Sequence, residues 1–430
     1  MRDLVITLII FGSLPFILTR PVIGVYVWSW ISYMNPHRLS WGFAYNMPFA
    51  AVTGACLIVG FLFTKDKQKM PWTGVTITWA LLIFWFVVST VFAFDTGMSA
   101  QELVRVIKIQ LVTLLTLLLV NNRKKLNQLV GVITLSVGFF GIKGGVFVAS
   151  TGGSYRVWGP PGSFIEGNNE LALALLIVLP FMWYLRSLFQ NKWVRLVFVG
   201  FMMLTIFSII SSYSRGAFLA MAAVMLIFWM KSKRKVAIGV VLAVVATAVL
   251  SFMPAQYFDR MNTIQTYEED ASATGRLNSW HFAFNLALDH PLTGGGFGTF
   301  TPQLFLKYAP EPLDHHDAHS IYFEVLGEQG FVGLFLFLTL WFLCYRTCSN
   351  VRKQASQYES LKWAENLAAM AQVSLVAYCV GGTFLGLAYY DLPYHIMTIC
   401  VLCQLLVNQE IKKISAEEKQ QPILSEGDRI

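Results

Sequence analysis

Long apolar runs separated by short polar loops make up most of this chain. An α-helix needs about 20 apolar residues to cross a bilayer, and these runs are too long and continuous for the strands of a membrane barrel. The pattern predicts an all-α integral membrane protein with about 12 (12 or 13) transmembrane helices. The predicted spans are 4–18, 22–34, 49–63, 75–94, 103–120, 129–149, 171–185, 194–210, 217–230, 236–252, 321–344, 368–387 and 396–407.

Composition supports a membrane protein. Hydrophobic residues make up 56% of the chain and charged residues 13%, whereas soluble domains have about 45–50% and about 25%. The net charge is +8, but the Lys and Arg residues lie in short loops between spans. That distribution is typical of a positive-inside membrane topology and argues against nucleic acid as a partner.

The basic loops also predict the orientation of the spans. Six of them are separated from one another by two spans each, so all six lie on one side, which is expected to be the cytoplasm. They are the loops at 65–69, 123–125, 186–195, 231–235 and 346–353, and the tail around 412–413. The opposite side carries few cations, namely Arg156, Arg215, Arg260, Arg276 and Lys307.

One long segment, 254–318, is too polar to remain in lipid. We therefore expect four parts: N-terminal transmembrane helices at 1–253, a large loop outside the cytoplasm at 254–318 with short helices, C-terminal transmembrane helices at 319–409, and a cytoplasmic tail at 410–430. The end of this tail, from 415 onward, is polar and charged, which predicts a solvated terminus.

An anion site is indicated where two spans meet at Ser211-Ser212-Tyr213-Ser214-Arg215-Gly216. Ser214 is a good N-cap, which places Arg215 in the first helical turn. The helix dipole disfavours a cation there, unless an anion lies between the guanidinium and the free N–H groups. The alternative is an arginine that reaches out to lipid head groups.

Two further features precede the end of the long loop. Thr274-Gly275-Arg276 begins a helix-like stretch that continues to His290-Pro291. Arg276 is a candidate for binding a substrate anion, and the alternative is a solvated side chain or one that contacts a lipid phosphate. The run Gly294-Gly295-Gly296-Phe297-Gly298 is neither a P-loop nor a dinucleotide fingerprint. It is best explained as a turn, although glycines also allow a backbone to approach a ligand closely.

Three of the seven histidines lie in Asp314-His315-His316-Asp317-Ala318-His319-Ser320, which leads into a span. His315, His316, Asp317 and His319 are residue types that bind metals, but no further ligand is indicated by spacing, so we expect no metal. His319 stands at the start of a helix, where an imidazole can accept a proton. His315 and His316 follow two prolines, and we expect their geometry to be less fixed.

Several of these segments resemble the O-antigen ligase/polymerase family. They are Ser214-Arg215-Gly216-Ala217, Gly275-Arg276 to Trp280, His290 to Gly296, and His319-Ser320-x-Tyr322-x-x-x-Leu326-x-Glu328-x-Gly330. The run from Trp28-Ser29-Trp30 to Leu39, followed by Trp41-Gly42-Phe43-Ala44, is similar to a narrower group, the O-glycosylation ligases associated with exosortase systems.

The resemblance implies a metal-independent glycan ligase without a cofactor, in lipopolysaccharide biosynthesis or a related pathway of the cell envelope. Such enzymes transfer a glycan from an undecaprenyl-pyrophosphate carrier to an acceptor hydroxyl on the periplasmic face of the bacterial inner membrane. The acceptor is lipid A core, a protein or another hydroxyl compound. By the family pattern, Arg215 and Arg276 bind the pyrophosphate and His319 is the general base. Arg260 and Arg156 match the pattern less closely.

Three alternatives stay open at the level of sequence. The sister polymerase uses a second lipid-linked glycan as its acceptor. A polysaccharide transporter or flippase would place charges near the middle of the membrane, and the candidates there are few: Arg105, Lys108 and Lys143. A non-catalytic scaffold of a glycan-assembly complex is the third.

Overall fold

The structure is a computed structural model that describes residues 1–231, 235–251, 253–262 and 271–420. Within these ranges the chain contains no strand, and the fold is 78% helical. The α-helices are α1 (Arg2–Thr19), α2 (Val22–Met34), α3 (Phe49–Phe63), α4 (Gly74–Val91), α5 (Thr96–Leu119), α6 (Arg123–Thr151), α7 (Asn168–Ser187), α8 (Lys192–Ile210), α9 (Arg215–Lys231), α10 (Lys235–Leu250), α11 (Ala255–Asn262), α12 (Ala271–Asp289), α13 (Pro302–Tyr308), α14 (Ile321–Ala355), α15 (Lys362–Gly381) and α16 (Asp391–Gln420).

The predicted all-α membrane architecture is confirmed. Each of the 13 predicted apolar runs corresponds to a helix, from α1 to α10 and from α14 to α16. Eight helices in the described ranges are long and apolar enough to cross a membrane, and three shorter apolar helices are Val22–Met34, Phe49–Phe63 and Arg215–Ile227. The chain is therefore a multi-pass membrane protein, while the number of 12 or 13 spans stays a prediction.

Polar caps set the start of several spans. The side chains of Asp95 and Asn122 accept hydrogen bonds from the backbone N–H of Met98 and Lys125, respectively. Thr73 forms a reciprocal capping box with Thr76. These residues satisfy N–H groups that have no partner within the helix, so a polar side chain fixes the start of each of these three helices.

The ends of several predicted spans differ from the structure, most clearly in the last three helices. Helix α15 ends at Gly381 rather than 387, and a short 3-10 turn, Gly382–Phe384, follows it. Helix α16 begins at Asp391 and continues to Gln420, so residues 415–420 of the predicted solvated terminus are helical. Helix α14 extends to Ala355, because polar residues after the apolar run continue the same helix beyond the predicted span.

Two of the basic loops, 65–69 and 123–125, meet at one end of the helix bundle, which we name the basic end. Lys125 Nζ lies 2.8 Å from Asp66 Oδ2. The Arg123 guanidinium lies 4.9 Å from the ring centre of Trp363. These contacts join the loops before α4, α6 and α15, in agreement with the prediction that they share one side. We name the opposite end, with the long loop, the site end.

The long loop folds onto the site end. It contains α11, α12 and α13, and α12 (Ala271–Asp289) covers the helix-like stretch that was predicted from Thr274 to His290. Phe282 on α12 is fully buried and stacks on Phe305 of α13, with 4.2 Å between ring centres. The packing gives this loop a small apolar core of its own, so it is a folded unit rather than a simple connection.

Helix α14 is broken at Gly330, whose φ of 67° and ψ of −171° are not helical. The glycine run docks against this break, backbone to backbone. Gly295 N donates to Gly327 O at 2.8 Å, Gly296 N donates to Glu328 O at 3.0 Å, and Phe331 N donates to Pro291 O at 2.9 Å. The glycine run is therefore more than a turn, because it supplies hydrogen-bond partners for backbone groups that lose their partners within the helix at the break.

Candidate active site

A small cavity at the site end brings together three of the four arginines predicted to bind pyrophosphate. Its volume is about 70 Å³. Arginines from three distant parts of the chain line it, together with backbone and amide groups. The lining residues are Arg156, Asn168, Asn169, Tyr213, Ser214, Arg215, Gly216, Arg276, Phe384 and Leu385.

Arg215 is held by the start of α9. The predicted N-cap is confirmed, because Ala217 N donates to Ser214 Oγ at 3.1 Å. Tyr213 has a φ of 57°, a left-handed conformation that residues other than glycine adopt rarely. This sharp turn ends α8 and places Arg215 at the first position of α9, where Ser214, Arg215 and Gly216 all line the cavity.

Arg156 is placed by a segment that is hydrogen-bonded to the same turn. Tyr213 Oη donates to Gly153 O at 2.8 Å, and Ser211 Oγ donates to Tyr155 O at 3.1 Å. The Arg156 guanidinium lies 6.0 Å from the ring centre of Tyr213. The loop after α6 and the turn before α9 thus form one rigid corner, which fixes Arg156 relative to Arg215.

Arg276 enters from α12, and the residues after it hold the histidine segment. Asn278 Nδ2 donates to the carbonyls of Glu311 and Asp314, each at 2.8 Å, and Asn278 Oδ1 accepts from Glu311 N at 2.9 Å. Ser279 Oγ donates to His316 O at 3.1 Å. Trp280 Nε1 donates to Ala318 O at 2.9 Å. We refer to Asn278, Ser279 and Trp280 as the clamp.

The clamp corrects one expectation from the sequence. The segment with His315 and His316 was predicted to have loosely fixed geometry because of its prolines, but three consecutive side chains of α12 hold its backbone. His316 Nε2 also lies 2.8 Å from Asp314 Oδ1. His315 is exposed, with its ring 6.0 Å from that of Phe305. The local order comes from contacts across more than 30 residues of sequence, which composition does not reveal.

His319 lies at the end of the clamped segment, with a half-buried side chain. Its φ of 43° is left-handed, and conformations of this kind cluster at functional sites. Burial lowers the pKa of His319 below the usual value of 6.5, and the positive charge of Arg276 lowers it further. The neutral imidazole that can accept a proton is therefore the favoured form near neutral pH.

Arg276 connects the arginine cavity with His319. It lines the cavity, and it lies within electrostatic range of both His319 and Glu170. A proton acceptor and a group of cations are therefore adjacent. This combination suits a reaction in which a proton leaves one reactant while negative charge builds on the other.

The fourth predicted arginine, Arg260, belongs to α11, but its side chain lies outside the described residues. The metal-ligand candidates can be described. Across the described ranges, no group of three His, Cys, Asp or Glu side chains converges in a way that would hold a metal ion.

Two carboxylates near the site were not singled out from the sequence, although one of them, Glu328, lies within the motif quoted above. Gly298 N donates to Glu328 Oε1 at 2.8 Å, and Ala388 N donates to Glu324 Oε2 at 3.1 Å. Glu324 thereby joins α14 to the 385–390 loop. The first residue of this loop, Leu385, lines the cavity. A carboxylate inside an apolar run is the signal that could have identified both.

A buried polar group also joins the N-terminal motif to α16. Tyr33 Oη lies 2.6 Å from His395 Nδ1, and the Ser32 hydroxyl donates to the Asp391 carboxylate. Trp28 stacks on the His395 ring, with 6.4 Å between ring centres. The motif that suggested the narrower group of ligases therefore holds the start of α16, directly after the 385–390 loop.

Comparison with known families assigns the two parts of the chain separately. Residues 200–338 match the family model described as O-antigen ligase, and residues 1–190 match a family of unknown function (DUF5935). No curated protein matches the chain. The first match contains Arg215, Arg276 and His319, whereas Arg156 lies in the second. Such a domain in a multi-pass membrane protein indicates a membrane glycosyl-transferring enzyme of ligase or polymerase type in glycan assembly. Residues 200–338 are therefore similar to the O-antigen ligase family and support an assignment of this part of the chain to it.

Proposed function

We propose that the protein is a glycan ligase. It transfers an oligosaccharide or polysaccharide from an undecaprenyl-pyrophosphate carrier to an acceptor hydroxyl, on the periplasmic face of the inner membrane. The observation that carries this proposal is the convergence of Arg156, Arg215 and Arg276 on one cavity, with His319 beside Arg276.

The size and charge of the cavity favour the pyrophosphate as its occupant. A volume of about 70 Å³ is far below the roughly 300–1,000 Å³ of pockets that enclose drug-sized ligands. A sugar chain would therefore lie outside it, while a phosphate fits within reach of several guanidinium groups. Arginine binds phosphate oxygens with two parallel hydrogen bonds, and a helix start such as that of α9 favours an anion.

The proposed reaction balances in atoms and charge, and it needs no external energy source. His319 accepts the proton of the acceptor hydroxyl as the oxygen attacks the anomeric carbon of the donor sugar. The bond between that carbon and the phosphate oxygen breaks, and undecaprenyl pyrophosphate leaves with the electron pair. The arginines stabilise the negative charge that grows on the leaving group in the transition state. Attack from the opposite side of the ring inverts the anomeric centre.

The test uses the purified full chain with a lipid-linked donor and candidate acceptors, and it measures the release of undecaprenyl pyrophosphate. Arg215→Ala and Arg276→Ala should each reduce transfer by about 10²–10³-fold, the usual effect of removing one transition-state donor. Arg215→Lys should also impair transfer, because lysine keeps the charge but not the planar fork. Lys307→Ala, which removes a cation at the same end outside the cavity, is the matched control.

Each result has a distinct meaning. Full turnover in Arg215→Ala and Arg276→Ala would refute the proposed pyrophosphate site. Release of the carrier only when a second lipid-linked glycan is present would identify the polymerase reaction. Transport of the donor without release of the carrier would identify a flippase. Product analysis with lipid A core and protein acceptors separates the broad ligase activity from that of the narrower, exosortase-associated group, whose assignment stays a prediction.

A further inference from the structure

A second, larger cavity lies at the basic end, far along the bundle from the arginine cavity. Its volume is about 610 Å³, which is within the range of pockets that hold small ligands. It lies among the ends of α6, α7, α14 and α15, all of which are long and apolar enough to cross a membrane. The cavity is therefore expected at the depth of the lipid head groups.

Two arginines give this cavity its positive charge. Arg123 is at the first position of α6, with its guanidinium 4.9 Å from the ring centre of Trp363. Arg352 is in the last turn of α14. Lys362 also lines the cavity but forms an ion pair with Glu359 at 2.6 Å, and Glu365 contributes one negative charge. The two arginines therefore outweigh the acidic lining.

Arg352 is held in place by a relay of hydrogen bonds. Its Nη1 donates to Gln372 Oε1 at 2.9 Å, and Gln372 Nε2 donates to Ser349 Oγ at 2.7 Å. The Nε–H of Arg352 is buried and has no hydrogen-bond partner among the described residues. A buried donor without a partner is costly, and a phosphate oxygen that accepts a hydrogen bond from this N–H would remove that cost.

The remaining lining favours a lipid over a free anion. Trp363 has the amphipathic ring that is enriched at membrane interfaces. Leu188 and Ala369 add apolar surface, which a glycerol backbone and the first acyl carbons would cover. Asn366, whose Nδ2 donates to Ser187 Oγ at 2.9 Å, and Gln190 supply neutral polar groups at the rim. Basic pockets of this kind between helices on the cytoplasmic side bind anionic head groups.

We propose that this cavity is a binding site for an anionic phospholipid, with Arg123 and Arg352 holding the phosphodiester and Trp363 packing against the glycerol region. The site is separate from the proposed glycan chemistry. Its occupation would tie together the ends of four helices, and it does not depend on which reaction occurs at the site end.

The experiment is native mass spectrometry of the full chain, purified in detergent and titrated with phosphatidylglycerol or with phosphatidylcholine of the same acyl chains. The test variant is Arg123→Gln/Arg352→Gln. The control is Lys124→Gln/Lys353→Gln, which removes the same charge from the adjacent positions, both exposed and outside the cavity lining. A cation near a head group changes binding by about fivefold. The test variant should therefore bind phosphatidylglycerol about 25-fold more weakly, while the control stays within twofold.

Three outcomes would overturn the proposal: an equal loss in both double variants, equal affinity of the unmodified chain for the two lipids, or displacement of phosphatidylglycerol by millimolar inorganic phosphate. The last would mean that the site binds free phosphate instead. Because Arg352 supports Gln372, the double variant risks misfolding. If the double variant misfolds, Arg123→Gln alone tests the proposal. It should weaken phosphatidylglycerol binding about fivefold, and an unchanged affinity would exclude the site.

Discussion

The clamp makes a quantitative prediction about how α12 positions the proposed base. Asn278 is 5% exposed and makes three hydrogen bonds to the backbone of Glu311 and Asp314. Each such bond contributes a net 0.5–1.5 kcal/mol. Asn278→Ala should therefore lower the local stability of segment 311–318 by roughly 1.5–4.5 kcal/mol. His319 would then spend less time in the geometry that transfer requires.

Hydrogen exchange and kinetics measure the two consequences. Amide exchange in segment 311–318 should become at least about tenfold faster, because 1.4 kcal/mol corresponds to a factor of ten. Transfer should slow while donor affinity changes little, since the arginine cavity is unaltered. The control is Asn285→Ala on the same helix, which loses one bond, from Nδ2 to Tyr308 O at 2.9 Å. Unchanged exchange in Asn278→Ala, or equal effects of both variants, would refute this role of the clamp.

Three other predictions concern the base and the helix break. His319→Ala should reduce single-turnover transfer by about 10²–10⁴-fold with donor binding nearly intact, and His315→Ala should have a milder effect. If a loss of donor binding explains the whole defect, His319 is not the base. Because burial and Arg276 lower the pKa of His319, the rate should hold down to pH 6.5 and fall only further below, where the imidazole becomes protonated. In Arg276→Gln a neighbouring positive charge is gone, so the pKa of His319 should rise and the residual activity should fall at a higher pH. A fall in rate at or above pH 6.5 in the unmodified chain would contradict the lowered pKa of His319. Gly330→Ala should destabilise the fold by about 1–3 kcal/mol, since the φ of 67° with ψ of −171° is essentially restricted to glycine. Thermal unfolding beside Gly131→Ala on α6, where an added Cβ meets no atom within 4 Å, tests it, and equal melting temperatures would count against the break.

Local sequence patterns predicted the helices and their caps. Apolar runs located the spans because a helix in lipid must be apolar over about 20 residues. Ser214 was predicted as an N-cap because capping is decided within a few residues. The break at Gly330 was missed, since a glycine within an apolar run does not reveal its φ and ψ. The end of α15 was missed for the same kind of reason: residues 382–387 are apolar, yet they form a 3-10 turn and loop.

The candidate site required contacts that are distant in sequence. Arg156, Arg215 and Arg276 were selected because they are cations on the side that carries few, and because of the family resemblance. Their convergence depends on the Tyr213 corner and on α12, neither of which has a pattern of its own. The partnership of Tyr33 with His395 spans 362 positions, and no local sequence pattern links two residues so far apart.

The break in α14 also sets how deep its carboxylates lie. From Phe331 to Ala355 the helix has 25 residues and rises about 37 Å at 1.5 Å per residue. That length crosses a hydrocarbon layer of about 30 Å without any contribution from the turns before Gly330. The turns before Gly330, which carry Glu324 and Glu328, are then not needed to complete the crossing. A carboxylate at the edge of a bilayer costs much less than one at mid-membrane, so the break allows α14 to carry two carboxyl groups without placing them at the centre of the hydrocarbon.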